Sequence, residues 1–71
     1  MKAFKPDRIK NRRLKLGITQ QALAKASGIS REHLAVIEAG KSIPKVSTLL
    51  AIAEALRCRP GYFFVTNGRY N

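Results

Sequence analysis

The sequence predicts an all-α fold, a compact bundle of five helices containing a pair of short helices joined by a tight turn. Three observations carry this. Apolar residues recur at helical spacings, most fully in Val46, Leu49, Leu50, Ile52, Ala53 and Leu56. Glycines and prolines fall where those runs stop, at Gly17, Gly28, Gly40 and Pro44. No stretch shows the strict alternation or the β-branched enrichment that a sheet requires.

Each element follows from its residues. Residues 1–6 read as a flexible basic arm. Pro6 and Asp7 open the first helix, since proline suits the first helical turn and a carboxylate favours its positive end. That helix runs to about Leu16 and stops at Gly17, with Ile9, Arg13 and Leu16 on one stripe. Thr19 caps the second helix, which glycine breaks at Gly28. Ser30 caps the third, which ends near Ala39. Leu23, Ile29, Leu34 and Ile37 turn inward, and Ala24 is small where these two helices meet. Arg31, Glu32, Ala35, Val36 and Ala39 are left outward, a face free to meet a partner.

After a loop at Lys41–Lys45 comes a fourth helix, about Val46 to Leu56. Pro60 marks a fifth short segment, Gly61 to Val65. Residues 7–65 form the single domain, and 66–71 a loose polar tail.

Charge narrows the function. The chain has 14 Lys and Arg against 4 Asp and Glu, a net charge of +10 over 71 residues, which points to a polyanionic partner. Seven of the 14 cations precede Gly17, so some of Arg8, Lys10, Arg12 and Lys15 serve that partner while the others form a solvated face. One cysteine, Cys58, excludes an internal disulfide, and with one histidine, His33, the chain lacks the ligands for a metal site. No cofactor is expected. Gly40-Lys41-Ser42 resembles the end of a P-loop, but Ala35 stands where the first glycine is required. No nucleophile–base pair stands out, so an enzyme is not expected. No apolar run reaches the ~20 residues of a membrane span. The N-terminus lacks a signal peptide, so a cytoplasmic protein is expected.

The segment QQALAKASGISREHLAVIEAGKSIPKVSTLLAIAEAL resembles the helix-turn-helix domain of the Cro and lambdoid repressor (Xre-like) family. The likeness covers about Asp7 to Phe64. It is carried by Gln20 heading the second helix, Ala24 and Gly28 at the contact and turn, Ile-Glu-x-Gly-Lys at 37–41, and Pro44 before the fourth helix. It implies a lambda repressor-like DNA-binding fold and a dimeric transcription regulator. Site roles follow from the same likeness. Arg31, Glu32, Ala35 and Val36 would face base edges. Gln20, Lys41 and Ser42 would touch phosphate, and Arg13 and Glu38 would form a structural ion pair.

Physical chemistry adds alternatives at several positions. Arg31 can pair bidentately with guanine or bind only phosphate. Glu32 can accept from cytosine N4 or cap the third helix. Val36 can meet a thymine methyl or carry no base preference. His33 and Lys10 are expected at phosphate or on the flanking surface. Tyr62 and Phe64 are expected at a dimer patch, with a core-only role as the alternative.

Val36 departs from the polar residue usual at its position in the family, and four other residues depart from the pattern. The Ser27 hydroxyl is expected to bond back to a helix carbonyl. Lys45 and Arg59 stand where capping residues are usual, and Arg57 where glycine ends the fourth helix, a left-handed position costing about 1 kcal/mol.

The expectation is a sequence-specific regulator of transcription, a repressor or autoregulator, binding a near-palindromic double-stranded operator as a homodimer. An antitoxin paired with a toxin, or a restriction-modification controller, would use the same binding mode. An adaptor for an acidic protein is the alternative of another class.

Overall fold

The computed structural model describes residues 2–66. Its order is β1 (Lys2–Phe4), α1 (Pro6–Lys15), α2 (Gln20–Ser27), α3 (Arg31–Glu38), α4 (Val46–Ala55), a 3-10 turn (Pro60–Phe63) and β2 (Phe64–Thr66). Among the described residues there are four α-helices where five helices were expected; the fifth segment is a single 3-10 turn. Its proline fixes the start, but β2 takes over at Phe64 before an α-helical turn can propagate.

The helix ends obey local chemistry. Pro6 stands in the first turn of α1 with Asp7 beside it. Gly17, Gly28 and Gly40 have φ of +71°, +74° and +80°. At Gly28 a Cβ would meet no atom within 4 Å, so the backbone angle, not lack of room, calls for glycine there. Arg57 has φ +56°, so an arginine does occupy the left-handed position that ends α4. Lys45 and Arg59 precede their helical segments without giving a side-chain cap.

The core is aliphatic around one aromatic ring. Phe63, Ile9, Leu23, Leu34, Ile37, Ile52 and Leu56 are fully buried. α2 packs on both α3 and α4, while α1 packs on α3 and the 3-10 turn. On α4 the inward stripe is Leu49, Ile52, Ala53 and Leu56, at steps of three, four and seven. Val46 and Leu50 lie beside that stripe and are exposed, contrary to the wide apolar face expected. Leu16 is likewise largely exposed, because α1 ends before it and its backbone turns toward Gly17.

Within the segment read as an N-terminal arm, residues 2–4 form a strand. β1 pairs antiparallel with β2 in the register Lys2↔Thr66, Ala3↔Val65 and Phe4↔Phe64. Lys5 N–H continues the pairing to the Phe63 carbonyl at 2.7 Å. Phe4 and Phe64 stand opposite each other with ring centroids 5.7 Å apart, a cross-strand aromatic pair that holds the ribbon. Three-residue strands are too short to display alternation. Thr66 belongs to β2; the rest of the expected tail, 67–71, lies outside the described residues.

Candidate nucleic-acid interface

The α2–turn–α3 unit is built by its caps. Thr19 Oγ1 accepts from the Ala22 amide at 3.0 Å, and Ser30 Oγ accepts from the His33 amide at 3.0 Å. Between them Gly28 and Ile29 donate back to Lys25 and Ala24 carbonyls, closing the first helix. Only Gly28, Ile29 and Ser30 separate α2 from α3. Buried Leu34 and Ile37 fasten α3 to the core, and half-buried Ile29 packs against the same cluster.

The opposite face of α3 is open. Arg31, Glu32, His33, Val36 and Ala39 are exposed and Ala35 is half-buried. Arg31 and Glu32 approach to 3.7 Å with side chains 52% and 78% exposed. A contact this long and this wet is worth at most about 1 kcal/mol, so both side chains can turn to other partners. Lys41 and Ser42 follow at the exit of α3. The Lys41 amide donates to the Val36 carbonyl and the Gly40 amide to that of Ile37, so the chain leaves the helix in a fixed direction.

Behind this face lies one carboxylate with three donors from two helices. Arg13 Nε donates to Glu38 Oε2 at 2.8 Å, and Arg13 NH2 to Oε1 at 3.2 Å. Gln20 Nε2 donates to the same Oε1 at 3.0 Å. Arg13 NH1 donates to the Ile18 carbonyl at 2.9 Å, so each guanidinium nitrogen has an acceptor. α1, α2 and α3 are thus tied at Glu38, whose side chain is 4% exposed against 9% for Arg13. The sequence reading placed Gln20 only at phosphate and missed the Glu38 bond. A carboxylate only accepts, so the Gln20 amide nitrogen must face it. One N–H of that amide remains for another acceptor.

The cations of α1 divide by chemistry. Arg12 Nε and NH2 donate to the Leu56 and Arg57 carbonyls at 3.0 and 3.2 Å, closing the end of α4. Arg8 NH1 donates to the Tyr62 carbonyl at 3.0 Å, and its guanidinium carbon lies 5.2 Å from the Tyr62 ring centroid. Arg8, Arg12 and Arg13 therefore hold the fold, while Lys10 and Lys15 point to solvent. Nothing in a charge count separates the two groups. The arginine fork, which serves several acceptors at once, is the physical difference.

Other expected residues fall as follows. Tyr62 is 43% exposed with its ring edge against Phe63. Phe64 is half-buried and committed largely to Phe4. The Ser27 hydroxyl does not bond back to a helix carbonyl; it is buried without a hydrogen-bond partner among the described residues. Burial pushes the Cys58 thiol above its ordinary pKa of 9.0, with nearby Arg12 opposing. No helix among the described residues is long and apolar enough to cross a membrane.

Comparison with known proteins places this geometry. A family model described as helix-turn-helix matches residues 9–63. Repressor protein C2 of Salmonella phage P22 is 41% identical over 56 residues, which make up 79% of this chain and 26% of that repressor. The chain thus spans about a quarter of the length of that curated relative. The crystal structure of the P22 c2 repressor in complex with synthetic operator 9T superposes with a TM-score of 0.81 at 38% identity. That match covers 86% of this chain and 92% of that one. The restriction-modification controller protein C.AhdI from Aeromonas hydrophila gives a TM-score of 0.78 at 28% identity, covering 82% of this chain and 88% of that one.

Proposed function

The chain belongs to the helix-turn-helix family of Cro- and lambdoid repressor-like (Xre-like) domains, and from that premise we propose that it is a sequence-specific double-stranded DNA-binding regulator of transcription. The observation that carries the reading is the open face of α3, held from behind by the Arg13–Glu38–Gln20 network, on a chain of net charge +10. The family is one of DNA-binding repressors and not a class of enzymes. The operator-bound state of the P22 repressor supports the same partner here. Binding to chromosomal or phage DNA puts the protein in the cytoplasm.

The mechanism follows from the side chains. α3 enters the major groove with its N-terminus toward the base edges. The Arg31 fork pairs with guanine O6 and N7, and Glu32 accepts from a cytosine N4 amine. Releasing their mutual contact costs little. Ala35 and Val36 meet thymine methyl groups. The remaining amide hydrogen of Gln20 donates to a phosphate at the positive end of α2, with Glu38 holding the side chain in place. Lys41, Ser42, Lys10 and His33 complete the backbone contacts. Two copies related by a two-fold axis would place their α3 helices about 34 Å apart on a near-palindromic operator.

Within this class, repression and autoregulation suit the likeness to the P22 protein. The controller role has its own support, since this chain covers 88% of C.AhdI. Titration with random duplex DNA at two salt concentrations tests the reading. Lys10 and Lys41 alone predict a slope of log affinity against log salt of about −2 per copy. No binding at low salt would refute it.

A further inference from the structure

The proposed function needs a second copy of the chain, and the structure offers a surface for it outside the Tyr62 patch. Ile43, Val46 and Leu50 are 77%, 73% and 50% exposed. Val46 and Leu50 are one helical turn apart on α4, and Ile43 stands three residues before Val46 in the loop that enters the helix. Val46 and Leu50 flank the core stripe of α4 on its exposed side, and Ile43 leads into them from the loop. Other exposed large apolar residues have other neighbours: Leu14 and Leu16 sit among Arg12, Arg13 and Lys15, and Val36 lies on the α3 face.

Charge identifies the occupant. Two chains of net charge +10 repel, so association is favoured where cations are few or are met by a carboxylate, and here Lys41 and Lys45 flank the patch. The segment 46–53, VSTLLAIA, carries no charge at all. Tyr62, by contrast, has Arg8 over its ring and Arg57 and Arg59 just before it, and Phe64 is engaged with Phe4. Across a two-fold axis, that patch would bring six arginines together.

We propose that Ile43, Val46 and Leu50 form the self-association surface, with α4 of one copy packed antiparallel on α4 of the other and Leu50 near the axis. The surface is then complementary to itself, as a two-fold interface requires. Glu54 is exposed one turn beyond Leu50 on the same stripe and makes no ion pair among the described residues. Centring on Leu50 sets Glu54 opposite residues 45–47 of the second copy. There α4 begins with Lys45, no side-chain cap and no acidic residue in its first turn. A carboxylate from the other copy suits that positive end.

The inference rests on the dimer of the proposed function, and its test separates the two. In a Cys58→Ala background, Leu50→Cys should cross-link into a disulfide dimer on mild oxidation, because a pair on the axis meets disulfide distances. Tyr62→Cys in the same background should not. Leu50→Glu should raise the dimer dissociation constant about tenfold or more in sedimentation equilibrium, and Glu54→Lys about fivefold. Leu50→Glu should still bind random duplex with the wild-type salt slope per copy, which also shows that it folds. Cross-linking of the Tyr62→Cys variant but not of Leu50→Cys, an unchanged dimer in Leu50→Glu and Glu54→Lys, or a wild-type chain monomeric up to about 1 mM would each overturn the assignment.

Discussion

Loss of the Glu38 carboxylate should remove much of this protein's margin of stability, whereas removing the whole ion pair should not. Glu38→Ala leaves the Arg13 guanidinium, 9% exposed, with two donors stranded that had acceptors at 2.8 and 3.2 Å. It also takes the acceptor from Gln20 Nε2. The Arg13 bond to the Ile18 carbonyl survives, but a neutral acceptor does not compensate a buried charge. Breaking such a pair from one side costs about 3–5 kcal/mol. A chain of 71 residues has roughly 4–11 kcal/mol in total. With m near 1 kcal/mol/M for so small a domain, the urea midpoint should fall by about 3 M or more. Arg13→Met/Glu38→Met replaces both charges with apolar volume and should lie within about 1 kcal/mol of wild type or above it. The assay is urea unfolding followed by helical circular dichroism. The reasoning fails if Glu38→Ala costs under about 1 kcal/mol, or if the double variant is as unstable as the summed single variants.

Other consequences are as direct. Arg57→Gly should stabilise by about 1 kcal/mol, or a rise of about 4–8 °C in Tm, since φ of +56° is strained for arginine and the Arg12 bonds reach only carbonyl groups; a lower Tm would contradict this. Ser27→Ala should gain about 1 kcal/mol by removing a buried hydroxyl with no partner, again by urea unfolding, and a loss would show that the hydroxyl is satisfied. The Cys58 thiol holds its proton to higher pH in the folded chain than in the unfolded one. The folded state then binds more protons above the ordinary pKa of 9.0, so the contribution is present below that value and is lost as pH rises through the raised one. The stability difference between wild type and Cys58→Ala should shrink as pH rises from 8 to about 11, and a difference that grows would reverse the sign of the argument.

The legible parts of this chain were those set by neighbours in sequence. Thr19, Ser30 and Gly28 act within four residues of themselves, so the cap and turn chemistry of α2 and α3 could be read directly. The strained Arg57 was legible for the same reason. What escaped depends on partners far along the chain. Phe4 finds its place through Phe64 and the core it packs on, and Arg12 through carbonyls 44 and 45 residues away. A count of cations on α1 treats Arg8 and Lys10 alike, though one holds the 3-10 turn and the other faces solvent. Gln20 shows the same limit: its position at the head of α2 suggested phosphate, but its bond to Glu38 appears only once α1, α2 and α3 are assembled. Ser27 shows it too, since its environment and not its spacing decides whether the hydroxyl is bonded.

The central claim is that the N-terminus of α3 reads bases, and Arg31 tests it most directly. A duplex selected from a random pool by the wild-type protein should lose about 1–3 kcal/mol of affinity for Arg31→Ala, or about 5- to 150-fold, with preference relaxed at one guanine position. Affinity for random duplex should change far less. An equal loss on selected and random DNA would assign Arg31 to the phosphate backbone and contradict the account.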